Sequence, residues 1–200
     1  MIYVDSRPVT RFAKPGLRPR FYQFRQFVGL DQIAEVEALG ELVQTTERFE
    51  EVFLIPGRDE HVVKLIDNET FSMRTLLDRK KNIEHWEVTA REPLPLRRGL
   101  SAMIGARVPR MRAALMSFVD AEKLSEAMAK RLKRIQSQTT IREFAAGEVK
   151  IFHVKQRIEE DEVHSVVLRA DSPDYLHGIV AKLPLEPQDG QNLGDYLRAA

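Results

Sequence analysis

An α+β fold built on a mostly antiparallel sheet is predicted by two features of the sequence. Alternating apolar and polar residues, which are typical of half-buried strands, occur in both the first and the last part of the chain. The middle part, residues 97–135, instead has apolar residues at helical spacing and is rich in Ala, Leu, Met, Lys and Arg. Because strands and helices do not alternate one by one, the order excludes a doubly wound parallel sheet.

The composition predicts one domain of ordinary size that follows a basic arm. The 200 residues are 43% hydrophobic, which is enough for a core, and the net charge of +1 gives no overall attraction to nucleic acid or membranes. The arm is assigned to residues 1–20 and the domain to residues 21–200, with a helical insert at about 97–136. There is no cysteine, and no apolar run approaches the roughly 20 residues of a membrane span. We therefore expect a soluble cytoplasmic protein that does not contact membranes.

The first half is predicted to contain five strands and one short helix. Residues 21–28 alternate in polarity, and Asp31 is a suitable N-cap for a helix that ends at Gly40. Asp67 and Asn68 predict a tight turn between two strands. The remaining strands are expected at residues 47–55, 61–66, 70–77 and 83–89.

The second half is predicted to begin with helices and to end with strands. Asp120 is expected to cap a helix whose apolar stripe consists of Leu124, Met128, Leu132 and Ile135. Strands are then expected at residues 149–158, 162–170 and 178–183. This order completes the α+β pattern.

Basic residues recur in the middle of these strands among apolar neighbours. The candidate residues for binding an anion are Arg25, Lys64, Arg74, Lys155, Arg157 and Arg169. On one interpretation these side chains are simply exposed, because lysines also protect edge strands against aggregation. On the other, the sheet curls into a barrel, and side chains from one face of every strand converge on its interior. Such a lumen requires a bound anion, and phosphate oxygens suit both guanidinium and ammonium groups.

Carboxylates on the predicted strands are candidate ligands for a divalent metal ion. Glu47, Glu51 and Glu87 are the candidate ligands, since two or more carboxylates on one inward face are able to hold Mg²⁺ or Mn²⁺ beside bound phosphates. Motifs of other sites are absent, because the sequence has no phosphate-binding loop, no dinucleotide fingerprint and no zinc-binding helix.

Five short segments are similar to segments of one known protein family. Residues 63–67, Val-Lys-Leu-Ile-Asp, are similar to a hairpin strand of that family, and residues 71–76 are similar to its next strand, which has a central basic residue. Residues 83–87, 151–158 and 192–197 are similar to later segments of the family. The family that the chain resembles is the CYTH superfamily, the triphosphate tunnel metalloenzymes. The resemblance implies an eight-stranded antiparallel tunnel flanked by a few helices. Such a tunnel binds a triphosphate through basic residues and a divalent metal ion through acidic ones.

The first strand departs from the family pattern at its acidic positions. Where the family has Glu-x-Glu-x-Lys, this chain has Phe21 and Gln23 before Arg25. The loss of two carboxylates weakens a Mg²⁺ site, because a hard cation prefers charged oxygen ligands. The basic side of the site is retained and the acidic side is eroded. Whether the protein is an enzyme therefore stays open; an active form would be a divalent-metal-dependent triphosphatase.

Three functional hypotheses follow from these patterns. The first is a tunnel that binds a triphosphate, a nucleotide or polyphosphate, with residual metal-dependent hydrolysis. The second is nucleic-acid binding through the basic arm and the basic residues 130–134, with phosphate contacts that weaken in salt. The third is a protein-interaction domain without catalysis, including a homodimer formed through the Ala- and Met-rich middle helices.

Overall fold

The strands close into an antiparallel barrel in which every strand pairs with two neighbours. The computed structural model describes residues 18–58, 60–112, 115 and 120–183. Within these residues the order around the barrel is β1-β5-β4-β3-β2-β6-β7-β8, and β8 pairs again with β1. The strands are β1 Arg20–Phe27, β2 Glu41–Leu54, β3 His61–Ile66, β4 Thr70–Lys80, β5 Ile83–Pro93, β6 Lys133–Ala146, β7 Val149–Ile158 and β8 Asp161–Ala170. The predicted α+β fold with an antiparallel barrel is confirmed.

The helices of the described residues lie outside the barrel. Helix α1, Leu30–Glu37, connects β1 to β2, and α4, Pro173–Val180, follows β8. Between β5 and β6 lie α2, Arg98–Arg107, a short 3-10 turn at Pro109–Met111, and α3, Ala121–Ala129. None of the helices in the described ranges has the length and apolar character needed to cross a membrane.

Two hydrophobic clusters bury the outer faces of the strands under these helices. The larger one packs Phe53, Leu65 and Met73 of β2, β3 and β4 against α2 and α3, through residues such as Ile104 and Met128. The second packs the outer faces of β1, β7 and β8 against α1 and α4; its members include Phe24, Val36, Ile151, Leu168 and Leu176. Because the helices cover the outer faces, apolar burial outside the barrel carries much of the fold, and the inner faces are free to be polar.

Strand alternation then fixes which side chains face the lumen. Successive side chains of a strand point to opposite faces, so a residue next to an outer-core residue points inward. Phe24 lies in the outer core, and Gln23 and Arg25 therefore face the lumen. On β2, Phe53 lies in the outer core, and Val52 faces inward by the same rule.

Two elements differ from the sequence prediction. The predicted helix up to residue 135 ends at Ala129, and the chain continues as β6, which pairs with β2 over almost its whole length. The apolar stripe misled the prediction because Leu132 still packs in the helical core, whereas Ile135 already faces the lumen. The strand expected at residues 178–183 is also wrong, since α4 covers most of it and begins with Pro173 at a helix-favouring position.

The ends of the other elements follow local turn chemistry. Asp67 and Asn68 both have positive φ, of 53° and 55°, which confirms the predicted tight turn between β3 and β4. Asp120 accepts a hydrogen bond from the Lys123 N–H at 2.9 Å and caps α3 as predicted. The N-cap of α1 is Gly29 rather than Asp31, which lies in the first turn of that helix.

Candidate anion-binding site in the barrel lumen

Six basic side chains come together inside the barrel, and we call them the basic cluster. They lie on six strands that are consecutive around the barrel, from β8 through β1, β5, β4 and β3 to β2, with one residue on each strand. The members of the cluster are Arg25, Arg48, Lys64, Arg74, Arg91 and Arg169. The two remaining strands, β6 and β7, contribute the uncharged groups Ser137, Thr139 and Gln156, and near the end of the lumen the ion pair of Lys150 with Glu143. One continuous arc of the wall is therefore cationic.

Glu50 is the carboxylate that this cluster surrounds most closely. Its side chain is fully buried; Lys64 Nζ donates to Oε2 at 2.5 Å, and Arg48 forms an ion pair with Oε1. Burial alone would raise the pKa of Glu50. The positive charges of Lys64 and Arg48 outweigh this effect and lower the pKa to about 2. Glu50 is therefore ionised at neutral pH, and both of its oxygens already face cations.

Arg169 is held by aromatic rings and an amide rather than by a carboxylate. Its guanidinium carbon lies 5.0 Å from the ring centroid of Phe21 and 4.8 Å from that of Phe152. The Nε of Arg169 donates to Gln23 Oε1 at 3.2 Å. Arg74 also approaches the Phe21 ring, at 5.4 Å from its centroid. These contacts orient both guanidinium groups without neutralising their charge.

The crowding of positive charge shifts the ionisation of the cluster. Burial lowers the pKa of Arg169 well below its ordinary value, and Arg74 and Arg25 lower it further. Burial also lowers the pKa of Arg74 to about 10, and that of Lys64 to about 8 despite its contact with Glu50. These shifts show that the protonated cluster is electrostatically unfavourable in the ligand-free protein.

The second lumenal carboxylate, Glu84, is fully occupied by other donors. Its Oε1 accepts a hydrogen bond from Arg79 at 2.7 Å, and its Oε2 accepts one from the Trp86 indole N–H at 2.9 Å. By contrast, the Nε of Arg48 is buried and has no hydrogen-bond partner. Glu50 Oε1, which faces Arg48, likewise lacks a hydrogen bond, so it is the excess of positive charge in the lumen that favours an anion.

Solved structures with this architecture cover almost the whole chain. A putative adenylyl cyclase from Hippeastrum, HpAC1, described as having a dominant triphosphatase activity, has a TM-score of 0.54 and 6% identity over 90% of this chain and 96% of its own. The PH1012 protein of Pyrococcus horikoshii has a TM-score of 0.53 and 13% identity over 88% and 98% of the two chains. This chain has the CYTH tunnel fold. The predicted resemblance is confirmed at the level of the fold.

A third solved structure is also similar to this chain, whereas comparisons of the sequence alone find no match. A putative adenylate cyclase from Bacillus halodurans has a TM-score of 0.51 and 9% identity, over 86% of this chain and 93% of its own. No protein-family model matches the sequence, and no curated protein is detectably similar to it. The fold is therefore shared with proteins that are only 6 to 13% identical in sequence to this chain.

A divalent metal ion does not fit the tunnel of this protein. The resemblance places glutamates at the positions of Phe21 and Gln23, which lie on the inward face of β1. The lumenal carboxylates Glu50, Glu84 and Glu143 already contact basic groups or N–H donors through all six oxygens. In the part of the chain that the structure describes, no group of three or more His, Cys, Asp or Glu residues is arranged to hold a metal. The adjacent cluster would also repel a cation.

The candidate metal ligands lie on the outer surface of the barrel. Glu51 faces away from the lumen and accepts a hydrogen bond from Gln136 at 2.8 Å. Glu87 accepts one from Arg18 at 3.0 Å. Glu47 is exposed and alternates in phase with Glu51 on β2. The placement of these three glutamates gives no shared site for Mg²⁺ or Mn²⁺.

The candidate phosphate-binding residues divide into two groups. Four of them, Arg25, Lys64, Arg74 and Arg169, belong to the basic cluster. Lys155 and Arg157 instead lie on the outer face of β7, which also carries His153 at 2.8 Å from Glu37 of α1. Lys155 pairs with Glu162 at 2.6 Å. The inward positions of β7 include Phe152, Val154 and Gln156, which alternate with Lys155 and Arg157.

Arg48 and Arg91 are the members of the cluster that the sequence did not suggest. Arg48 lies near the start of the strand predicted at residues 47–55, but β2 begins at Glu41 and places it well inside a long strand. Arg91 lies beyond the strand predicted to end at residue 89, whereas β5 continues to Pro93. The period of two identifies Arg48 as inward-facing, but on β5 a register shift between Val88 and Ala90 reverses the alternation, so sequence alone would have placed Arg91 on the outer face.

The structure describes only some of the segments that the remaining predictions concern. Residues 1–17 of the basic arm and residues 192–197 of the family-like segment lie outside the described residues. Lys133 and Arg134, from the basic residues 130–134, belong to β6. Nucleic-acid binding and a homodimer through the middle helices stay predictions.

Proposed function

We propose that the tunnel binds phosphorylated anions, such as a triphosphate, a nucleotide or polyphosphate, without a divalent metal ion. The observation that carries the proposal is the basic cluster itself. Six basic side chains share a lumen in which Glu50 and Glu84 are already occupied. Burying unbalanced charge is costly, and a polyanion is the ligand that removes this cost.

The chemistry of the cluster suits chains of phosphate groups. Five of its six members are arginines, whose planar guanidinium groups bind phosphate oxygens through two parallel N–H bonds. Lys64 adds a compact positive charge in the same lumen. The buried Arg48 Nε, which has no hydrogen-bond partner, supplies a further donor. A ligand with several linked phosphates would contact several strands at once, which favours it over a single phosphate ion.

Binding rather than hydrolysis is the function that this lumen favours. The triphosphatase activity described for the Hippeastrum protein belongs to that protein, with which this chain shares 6% identity. Phosphoryl transfer depends on neutralising charge and on orienting the attacking water. The basic cluster would provide the first, but within the described residues the lumenal carboxylates Glu50, Glu84 and Glu143 are each paired with basic groups and not placed to orient water. We therefore expect tripolyphosphate to bind and to remain intact.

Calorimetry with tripolyphosphate tests this proposal directly. We expect binding in the presence of EDTA, and weaker binding when Mg²⁺ is added, because Mg²⁺ neutralises part of the charge of the free ligand. Inorganic phosphate release measured on the same samples should stay at the background rate. Binding that requires Mg²⁺, or phosphate release that increases with Mg²⁺, would contradict the metal-free proposal. An absence of binding would contradict the function itself.

A matched pair of variants shows whether the ligand binds in the lumen. Arg74→Gln removes a charge from the basic cluster, whereas Lys155→Gln removes one from the outer face of the barrel. We expect Arg74→Gln to weaken tripolyphosphate binding by about tenfold or more, the effect of losing one charge-assisted contact. Lys155→Gln should bind like the unmodified protein. Equal losses in both variants would indicate binding at the surface.

A further inference from the structure

Apolar side chains fill one end of the barrel interior. Val52 and Leu54 are buried there, and Phe27, Ile135 and Ile158 pack against them. Phe27 follows Arg25 at the strand period of two, and Val52 follows Glu50 in the same way, so these side chains point into the lumen. We call these five residues the plug.

The plug reaches across the lumen from β1 to β2, and the ion pair of Arg79 on β4 with Glu84 on β5 lies beside it at the same end. In the order β1-β5-β4-β3-β2-β6-β7-β8, strands β1 and β2 are four positions apart in both directions, which places them on opposite sides of the barrel. Phe27 of β1 packs against the cluster formed by Val52 and Leu54 of β2, and it must cross the lumen to do so. Ile135 of β6 and Ile158 of β7 occupy the wall between them. A charged chain cannot pass such a contact without losing its hydration to an apolar surface.

The opposite end of the lumen is polar and accessible. Arg169 lies at the end of β8, and Phe21 and Phe152, which flank it, lie near the beginnings of β1 and β7. Arg91 lies near the end of β5 and is exposed to solvent. Since neighbouring strands are antiparallel, these positions share the end of the barrel that is farthest from the plug. The positive charge therefore reaches solvent at this end.

We propose that the lumen is a blind site, closed by the plug together with the adjacent Arg79–Glu84 ion pair and entered at the Arg169 end. This inference rests on the proposed binding of phosphorylated anions and adds a restriction on the ligand. From Phe21 to Phe27 the strand covers roughly 20 Å, which corresponds to about 15 Å of depth at a typical strand tilt. The site accepts the terminal phosphate groups of a molecule and leaves the rest outside. It does not let a long phosphate chain pass through.

The number of protein molecules bound to one long polyphosphate chain distinguishes these two modes. A linear chain has two termini, so a blind site binds two proteins per chain whatever the length of the chain. The unmodified protein is titrated with tripolyphosphate and with linear polyphosphates of two defined lengths, and the stoichiometry is measured by calorimetry and analytical ultracentrifugation. A control polyphosphate carries bulky amines linked covalently to both terminal phosphates.

The possible results separate the two proposals. Two proteins per chain at both lengths, together with no binding of the end-capped polyphosphate, is the expected result. A stoichiometry that increases with chain length, one protein per chain, or retained binding of the end-capped polyphosphate would overturn the blind site while leaving phosphate binding intact. If tripolyphosphate itself does not bind, the proposed function is overturned and the blind site with it.

Discussion

The inner and outer faces of the same strands differ in how their charged side chains are balanced by partners of opposite charge. Glu50 and Glu51 are neighbours on β2; Glu50 points into the lumen, and Glu51 points outward, where it contacts Gln136 and Arg134. On the outer face the charged groups are commonly paired, as Lys155 is with Glu162. On the inner face six basic side chains share one central carboxylate, Glu50, because Glu84 is taken by Arg79.

This difference indicates that the two faces serve different purposes. The outer faces bury the two hydrophobic clusters under the helices, and this burial stabilises the barrel. The inner face contains an arrangement that lowers stability in the absence of a ligand, as the lowered pKa of Arg169 shows. A costly arrangement that the fold does not need is typical of a binding site.

The largest effect is expected when Glu50, the carboxylate that the basic cluster surrounds, is neutralised. Glu50→Gln leaves Lys64 and Arg48 buried without a negative partner, and breaking a buried ion pair in this way costs about 3 to 5 kcal/mol. Urea unfolding of the ligand-free protein measures the loss. The outer-face substitution Glu162→Gln, which affects an exposed pair, should leave the unfolding curve unchanged. Similar curves for both variants would mean that the inner face is as well solvated as the outer face.

A smaller effect, of opposite sign, is expected when one positive charge is removed from the lumen. Arg169→Met keeps an apolar side chain between Phe21 and Phe152 and relieves repulsion from Arg74 and Arg25. We expect the ligand-free protein to become more stable by about 1 kcal/mol, as when buried ionic groups are replaced by apolar ones. Tripolyphosphate binding should weaken by about tenfold to a hundredfold.

Thermal unfolding and calorimetry on the same variant check both effects. Lys155→Met, on the outer face, serves as the control, and it should change neither the stability nor the affinity for tripolyphosphate. A loss of stability together with a loss of affinity in Arg169→Met would show that Arg169 supports the fold. Only a gain in stability with a loss in affinity fits a residue that is kept for its ligand.

The same contrast between faces explains what the sequence could predict. Arg25, Lys64 and Arg74 were recognisable because their strands alternate them with residues of the outer core, such as Phe24 and Leu65. The strand signal has a period of two, and it is clear wherever helices cover the outer face. On β7 the outer face instead carries His153, Lys155 and Arg157, so basic residues alone did not reveal which side faces the lumen. The register had to come from the structure.

Strand β6 could not be predicted for a related reason. Its inward positions include Ser137 and Thr139, and its outward positions include Gln136 and Gln138, so apolar alternation is missing over the middle of the strand. The pairing with β2 on one side and β7 on the other holds this polar segment in the barrel. Tertiary pairing therefore determines its structure, and local sequence preference contributes little.

The smallest effect concerns pH, and it has opposite signs for stability and for binding. Burial lowers the pKa of Lys64 to about 8 in the folded protein, from an ordinary value of 10.5. Between pH 8 and 10.5, Lys64 is protonated in the unfolded chain but largely neutral in the folded protein. Unfolding therefore takes up a proton, and the free energy of unfolding of the ligand-free protein increases as pH rises through this range. Binding of tripolyphosphate should instead weaken as pH rises above about 8, because the lumen loses one positive charge.

Calorimetry across this pH range, repeated with Lys64→Arg, isolates the residue. Arginine keeps its charge at alkaline pH, so the variant should bind tripolyphosphate with little change where the unmodified protein loses affinity. The ligand itself is the same in both titrations, and any change in its own ionisation cancels in the comparison. Parallel pH profiles would assign the loss to another group. Divergence above about pH 8 would instead show that the charge on Lys64 inside the barrel, and not the charge of the outer face, sets the affinity.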